Sequence, residues 1–150
     1  MRKIAMLTGA VAVAAGTMLA TLAPAGAAPA TGEENIVEVT ADNYDSVINS
    51  SADKLVIFDF NATWCGPCQQ MKPVIEKLAK EGADAGKWTL ASVDVDKNGP
   101  IADKYGIQYI PTLIPVRNKA ELADSRQIGF DTDGGEATLT KYIEDQLAKG

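Results

Sequence analysis

The chain holds two cysteines, Cys65 and Cys68, with Gly66 and Pro67 between them. Thiols at this spacing can close as a structural bridge, hold part of a metal site, or cycle between dithiol and disulfide while exchanging bonds with other sulfurs. A bridge across so short a loop constrains the unfolded chain little, because loop-closure entropy grows with loop length. Zinc takes four Cys or His ligands in a structural site and three protein ligands in a catalytic one. The chain has no His and no third Cys, so a zinc site lacks ligands. Redox exchange is the chemistry the spacing favours. The absence of His also removes Ser/His/Asp and Cys/His catalysis.

These thiols are positioned by what flanks them. Residues 55–60 form a nearly continuous apolar run rich in branched and aromatic side chains, the pattern of a strand buried on both faces. After the cysteines, Met71, Val74, Ile75, Leu78 and Ala79 recur at the spacing of one helix face, and this stripe reads as core. Cys65 therefore opens a helix, where free N–H groups and partial positive charge favour thiolate over thiol. Cys68, one turn further in, is expected to be the more buried. Pro73 should kink the helix and Gly82 should end it. Asp59 lies within the buried run, between Phe58 and Phe60, which argue against exposure. Desolvation raises the pKa of such a carboxyl and makes it a usable base near neutrality.

Elsewhere, residues 36–40 alternate as a strand, and 43–48 suit a short helix capped by Asp42. Residues 89–95 read as a strand, Asn98-Gly99-Pro100 as a turn, and 101–105 as a short helix ending at Gly106. Residues 110–114 lead into a fourth strand and 126–128 form a fifth. Leu139, Tyr142, Ile143, Gln146 and Leu147 repeat the helical spacing, with Gly150 beyond. Strands alternating with helices imply an α/β sheet covered on both faces.

Residues 1–30 differ in kind. Arg2 and Lys3 precede an apolar run over 4–23, then Pro24, Gly26 and Pro29 among alanines. A positive start, an apolar centre and small-residue exits at Ala25-Gly26-Ala27 or Ala28-Pro29-Ala30 make a secretory signal peptide. The alternative is an uncleaved membrane anchor, since the run approaches the ~20 residues a spanning helix needs. Either places the remainder outside the cytoplasm. Residues 31–35 read as a flexible lead-in and 36–150 as one domain. Without Arg2 and Lys3 the remainder carries 12 basic and 20 acidic residues, a net charge of −8. General charge will not hold such a domain on nucleic acid or anionic lipid.

Trp64-Cys65-Gly66-Pro67-Cys68, after a buried strand and opening a helix, resembles the active site of the thioredoxin family. Asp59 stands where that family carries a buried acid, and Pro73 where its active-site helix kinks. Ile110-Pro111-Thr112 is similar to the loop whose proline is cis and lies against the disulfide. Gly129 matches a loop glycine near the same surface. The resemblance covers roughly residues 36–148 and implies a thioredoxin fold, a central mixed β-sheet flanked by helices on both faces. It implies a disulfide oxidoreductase with Cys65 as nucleophile, Cys68 as resolving thiol and Asp59 as its proton acceptor. Trp64, Gly66, Pro67, Ile110, Pro111 and Gly129 are implied substrate contacts; Trp64, Ile110 and Phe130 could line an apolar docking surface or be core. The implied partners are protein thiols and disulfides met by a monomer, with no metal and no cofactor beyond the redox-active disulfide. Gly66-Pro67 and the Ile before Pro111 resemble the reducing members, and an exported reductase needs electrons from a membrane thiol carrier. An oxidant, an isomerase or a non-catalytic binding module on the same fold are the alternatives.

Some positions depart from the family pattern. Asn61 stands where Trp is frequent, and Ser92 where a Lys often neighbours the buried acid, so Asp59 is expected to titrate higher or act through water. Pro115 falls in an expected central strand, where a missing N–H calls for a bulge or an end at Ile114. Asp94 to Gly99 match half of an EF-hand loop, but Tyr105 stands where a ligating Glu is required. Asn49-Ser50-Ser51 and Asn61-Ala62-Thr63 match the glycosylation sequon, a pattern often met by chance.

Overall fold

The computed structural model describes residues 32–149; the segment expected to be a signal peptide or anchor and Gly150 lie outside them. A 3-10 turn, Gly32–Asn35, leads into β1 (Ile36–Glu38), α1 (Tyr44–Ser50), β2 (Leu55–Asn61) and α2 (Gly66–Glu81). Then come β3 (Trp88–Asp94), α3 (Gly99–Lys104), β4 (Thr112–Arg117), β5 (Ala120–Glu121), β6 (Gln127–Ile128) and α4 (Gly135–Ala148). The sheet order is β1-β3-β2-β4-β5, with β6 also on β4. The first three strands run parallel, and β4 lies antiparallel to β2, β5 and β6. This is the mixed α/β sheet expected from the thioredoxin resemblance.

β2 is central, and its side chains divide between two cores. Val56, Phe58 and Phe60 face Tyr44 and Val47 of α1 and Ile101 and Ala102 of α3. Leu55 and Ile57 face Met71, Ile75 and Leu78 of α2 and Leu139, Tyr142 and Ile143 of α4. Alternation of side chains across a strand explains why a strand covered on both faces has no polar stripe. Asp59 shares the face of Leu55 and Ile57, so α2 buries it; Phe58 and Phe60 point to the other face.

Several local expectations are corrected. Asn43, not Asp42, occupies the N-cap of α1. Its side chain serves the preceding turn, accepting from the Thr40 N–H at 2.8 Å and donating to the Glu38 carbonyl at 2.9 Å. Gly99 and Pro100 are the first residues of α3 rather than a turn; a proline without N–H suits a first helical turn. The lead-in is anchored at Asn35, which donates to the Ala79 carbonyl and accepts from Lys54. β5 carried no sequence signal, being two residues long.

β4 runs straight through Pro115, paired with Ile57 of β2. The Leu122 N–H donates to the Pro115 carbonyl at 2.9 Å, so that carbonyl points away from β2. The N and O of one strand residue face the same side, so the missing N–H falls between β5 and β6 and costs no bond to β2.

α2 continues through Pro73 and stops at Gly82, whose φ of −64° is open to any residue. Glycine is required there for space: a Cβ would sit 2.5 Å from the Leu78 carbonyl oxygen. Gly82→Ala is expected to destabilise the fold by about 1–3 kcal/mol, read from denaturant midpoints. A change within about 0.5 kcal/mol would show that the helix end yields freely.

Candidate active site

The loop after β2 turns into α2, and Cys65 stands at the N-cap with extended backbone (φ −82°, ψ 108°). Its Sγ accepts the N–H of Cys68 at 3.3 Å. The sulfur thus occupies the position of a capping oxygen and satisfies one of the donors a helix leaves unpaired at its start. Pro67 has no N–H to satisfy in that turn. Cys65 and Cys68 are joined as a disulfide with a Cα–Cα distance of 5.3 Å. In this oxidised state the expected contrast in depth is slight: Cys65 is 5% exposed and Cys68 3%. Gly66 and Pro67 are exposed beside them, and nothing lies within 4 Å of where a Gly66 Cβ would stand. The space beside Gly66, next to the disulfide, is therefore open to an approaching chain.

A second loop faces the sulfurs. Ile110–Pro111 is a cis peptide, and Ile110 packs against Ala62, Cys65 and Cys68. The Gly129 N–H donates to the Pro111 carbonyl at 2.8 Å, with Gly129 at φ 79°, so β6 braces this loop from behind. Trp64 is 70% exposed, and its Nε1 donates to Asp96 Oδ2 at 2.8 Å. With Val95, Ile107, Tyr109 and Ile110 it borders a groove of about 170 Å³ beside the disulfide. Phe130 belongs elsewhere, packed on the core between α2 and α4. Trp64, Gly66, Pro67, Ile110, Pro111 and Gly129 thus gather at one end of the sheet around the disulfide.

Asp59 is 4% exposed, on the face that α2 covers. Its Oδ2 accepts from Asn61 Nδ2 at 3.2 Å, and its buried Oδ1 has no partner among the described residues. Burial pushes the carboxyl up to about 7; the Asn61 hydrogen bond and Lys72 pull it down, and Glu76 pushes it up.

The thioredoxin family model matches residues 35–144. The chain is 46% identical over 112 residues to a thioredoxin of Staphylococcus saprophyticus, covering 75% of this chain and 98% of that protein. It is 39% identical over 110 residues to the mitochondrial thioredoxin-2 of Schizosaccharomyces pombe, covering 73% and 77%. The solved thioredoxin of Malassezia sympodialis superposes with a TM-score of 0.62 at 32% identity, over 74% of this chain and 90% of that one. The chain belongs to the thioredoxin family.

It is accordingly a thioredoxin-type thiol–disulfide oxidoreductase with protein disulfides as its substrate class. Some residues at this thioredoxin site were not read from the sequence. Tyr109 is 67% exposed on the groove, but an aromatic in a short loop carries no periodic signal. Asp96, within the half EF-hand pattern, accepts from Trp64, while Asp94 accepts from the Asp96 N–H and pairs with Lys97. Among the described residues, no three His, Cys, Asp or Glu side chains are grouped to hold a metal ion.

The carboxyl of Asp59 links this site to stability. Its folded-state value of about 7 lies above its ordinary 3.8, so the folded chain keeps a proton that the unfolded chain has lost. Stability from this group is fully present below about pH 4, falls by about 1.4 kcal/mol per pH unit above that, and levels off beyond about pH 7. Asp59→Asn is expected to gain roughly 2–4 kcal/mol over the parent between pH 4 and pH 8, read from guanidinium midpoints. An equal difference at both pH values would refute the buried-acid account.

Proposed function

We propose that this protein is an exported thioredoxin that reduces disulfides of other proteins. The observation that carries the mechanism is the Cys68 N–H aimed at the Cys65 sulfur. In the reduced protein that donor and the helix N-terminus stabilise a thiolate at Cys65. The Cys65 thiolate attacks one sulfur of a substrate disulfide; an S–S bond forms to Cys65, and the other substrate sulfur leaves as a thiolate and takes up a proton. Cys68 then loses its proton to Asp59 and attacks the Cys65 sulfur. The mixed disulfide breaks, the second substrate sulfur leaves as a thiolate and takes up a proton, and Cys65–Cys68 closes. Two electrons pass to the substrate and the protein ends in its oxidised form.

The open space above Gly66 and the groove under Trp64 suit an extended substrate segment beside the reacting sulfurs. Gly66-Pro67 and Ile110 before Pro111 support the reducing direction through family likeness. The leader-like pattern over 1–30 supports export, and an exported reductase would draw its electrons from a membrane thiol carrier. The protein would work as a monomer.

Cys65→Ser is expected to abolish the acceleration of insulin reduction by dithiothreitol, and Cys68→Ser to accumulate a mixed disulfide at Cys65, detected by mass. Retained turnover in Cys65→Ser overturns the mechanism. Equilibration with glutathione is expected to give a potential near the family value of about −270 mV; a value near about −120 mV, the oxidant end, reverses the direction. Mass spectrometry of the protein from its native cells is expected to find an N-terminus after Ala27 or Ala30 outside the cytoplasm. Intact chain confined to the cytoplasm overturns export.

A further inference from the structure

Asn61 touches neither cysteine in any hydrogen bond, yet it is the side chain most engaged with the buried acid. Its Nδ2 lies 3.2 Å from Asp59 Oδ2, 3.0 Å from the Asp59 main-chain oxygen and 2.9 Å from Ser92 Oγ. The main-chain carbonyl can only accept, so the amide nitrogen, not the amide oxygen, faces the acid. An NH2 group has two hydrogens for these three acceptors, so Asp59 and Ser92 share what Asn61 can give. The carboxyl is thereby made unequal: Oδ2 is held, while Oδ1 is buried and has no partner among the described residues.

We propose that Asn61 is a positioning residue that reserves Oδ1 of Asp59 as the atom taking the proton from Cys68. The proposal deepens, and rests on, the reading of Asp59 as the base. A proton on Oδ2 would oppose the Asn61 hydrogens, so the neutral acid carries its proton on Oδ1. In the ionised acid, the Asn61 bond supports the charge at Oδ2 and leaves Oδ1 free. When Cys68 gives up its proton, the Sγ–H bond breaks and an O–H bond forms at Oδ1, leaving the thiolate that attacks Cys65. Other groups facing the carboxyl are few. α2 contributes Lys72 and Glu76, which act in opposite directions; β3 places Ser92 beside Asp59, and β4 places the apolar Leu113. Asn61 and Ser92 therefore work as one unit at positions where family members frequently carry Trp and Lys.

The test follows the Asp59 carboxyl by carbon NMR in the full chain, alongside the pH dependence of mixed-disulfide resolution. Asn61→Leu keeps the branching at Cγ and removes the donor. It is expected to move both the carboxyl titration and the pH limb of resolution upward by about one pH unit, the size of a lost hydrogen bond to a charged group. Ser92→Ala removes the competing acceptor and leaves both amide hydrogens to Asp59. It is expected to move both midpoints downward, and it decides alone should Asn61→Leu fail to fold. Unmoved titration in Asn61→Leu, or an unmoved or raised one in Ser92→Ala, overturns the role of Asn61. A carboxyl titration that moves while the resolution limb stays fixed overturns instead the reading of Asp59 as the base.

Discussion

A helix that begins where a central strand ends has unpaired N–H groups at its start, and something must meet them. Here a sulfur does. β2 is enclosed on both faces, so its direction is fixed by the two cores, and the loop from Ala62 to Cys65 has little freedom in where it delivers the first turn of α2. Cys65 N–H bonds the Ala62 carbonyl at 3.2 Å, and Gln69 Nε2 reaches that same carbonyl at 3.2 Å. The reactive end is thus set by hydrogen bonding and core packing before any chemistry occurs. The Ile110–Pro111 loop follows from the same frame, since β4 pairs with β2 and brings that loop beside the sulfurs.

The same frame places a carboxyl where a hydrocarbon side chain would be more stable. Leu55 and Ile57 share the face of Asp59 and pack into a hydrophobic cluster, whereas Asp59 has one side-chain donor and, among the described residues, an unpartnered oxygen. An unsupported buried charge is costly, and a group that keeps its proton avoids much of that cost. The fold tolerates one such group because its neighbours on that face, Leu55, Ile57, Met71, Ile75 and Leu113, are apolar and close-packed.

The parts legible in the sequence were those with a period or a motif. The buried run of β2, the stripe of α2 and the ordered sequence Trp64 to Cys68 sufficed for the fold and the reacting pair. The parts that were not legible depend on direction. Pro115 looked disruptive because the sequence does not say which neighbour its missing N–H faces. Asn61 read as a departure from a family pattern, because a hydrogen bond to Asp59 and Ser92 requires β2 and β3 to be in register. Phe58 and Phe60 suggested burial of Asp59 for the wrong reason, as the strand turns them to the opposite face. Asp42 and Asn43 were equally good caps on composition, and only the backbone separates them.

The margins of the sheet carry one more consequence. Among the described residues, β1 offers three residues at one side, while β5 and β6 offer two each at the other, with Pro115 opposite the gap between them. A foreign strand seeking to extend the sheet would find few consecutive free backbone groups, and at Pro115 none to donate. Such blunt borders disfavour edge-to-edge polymerisation with other copies of the chain or with foreign strands.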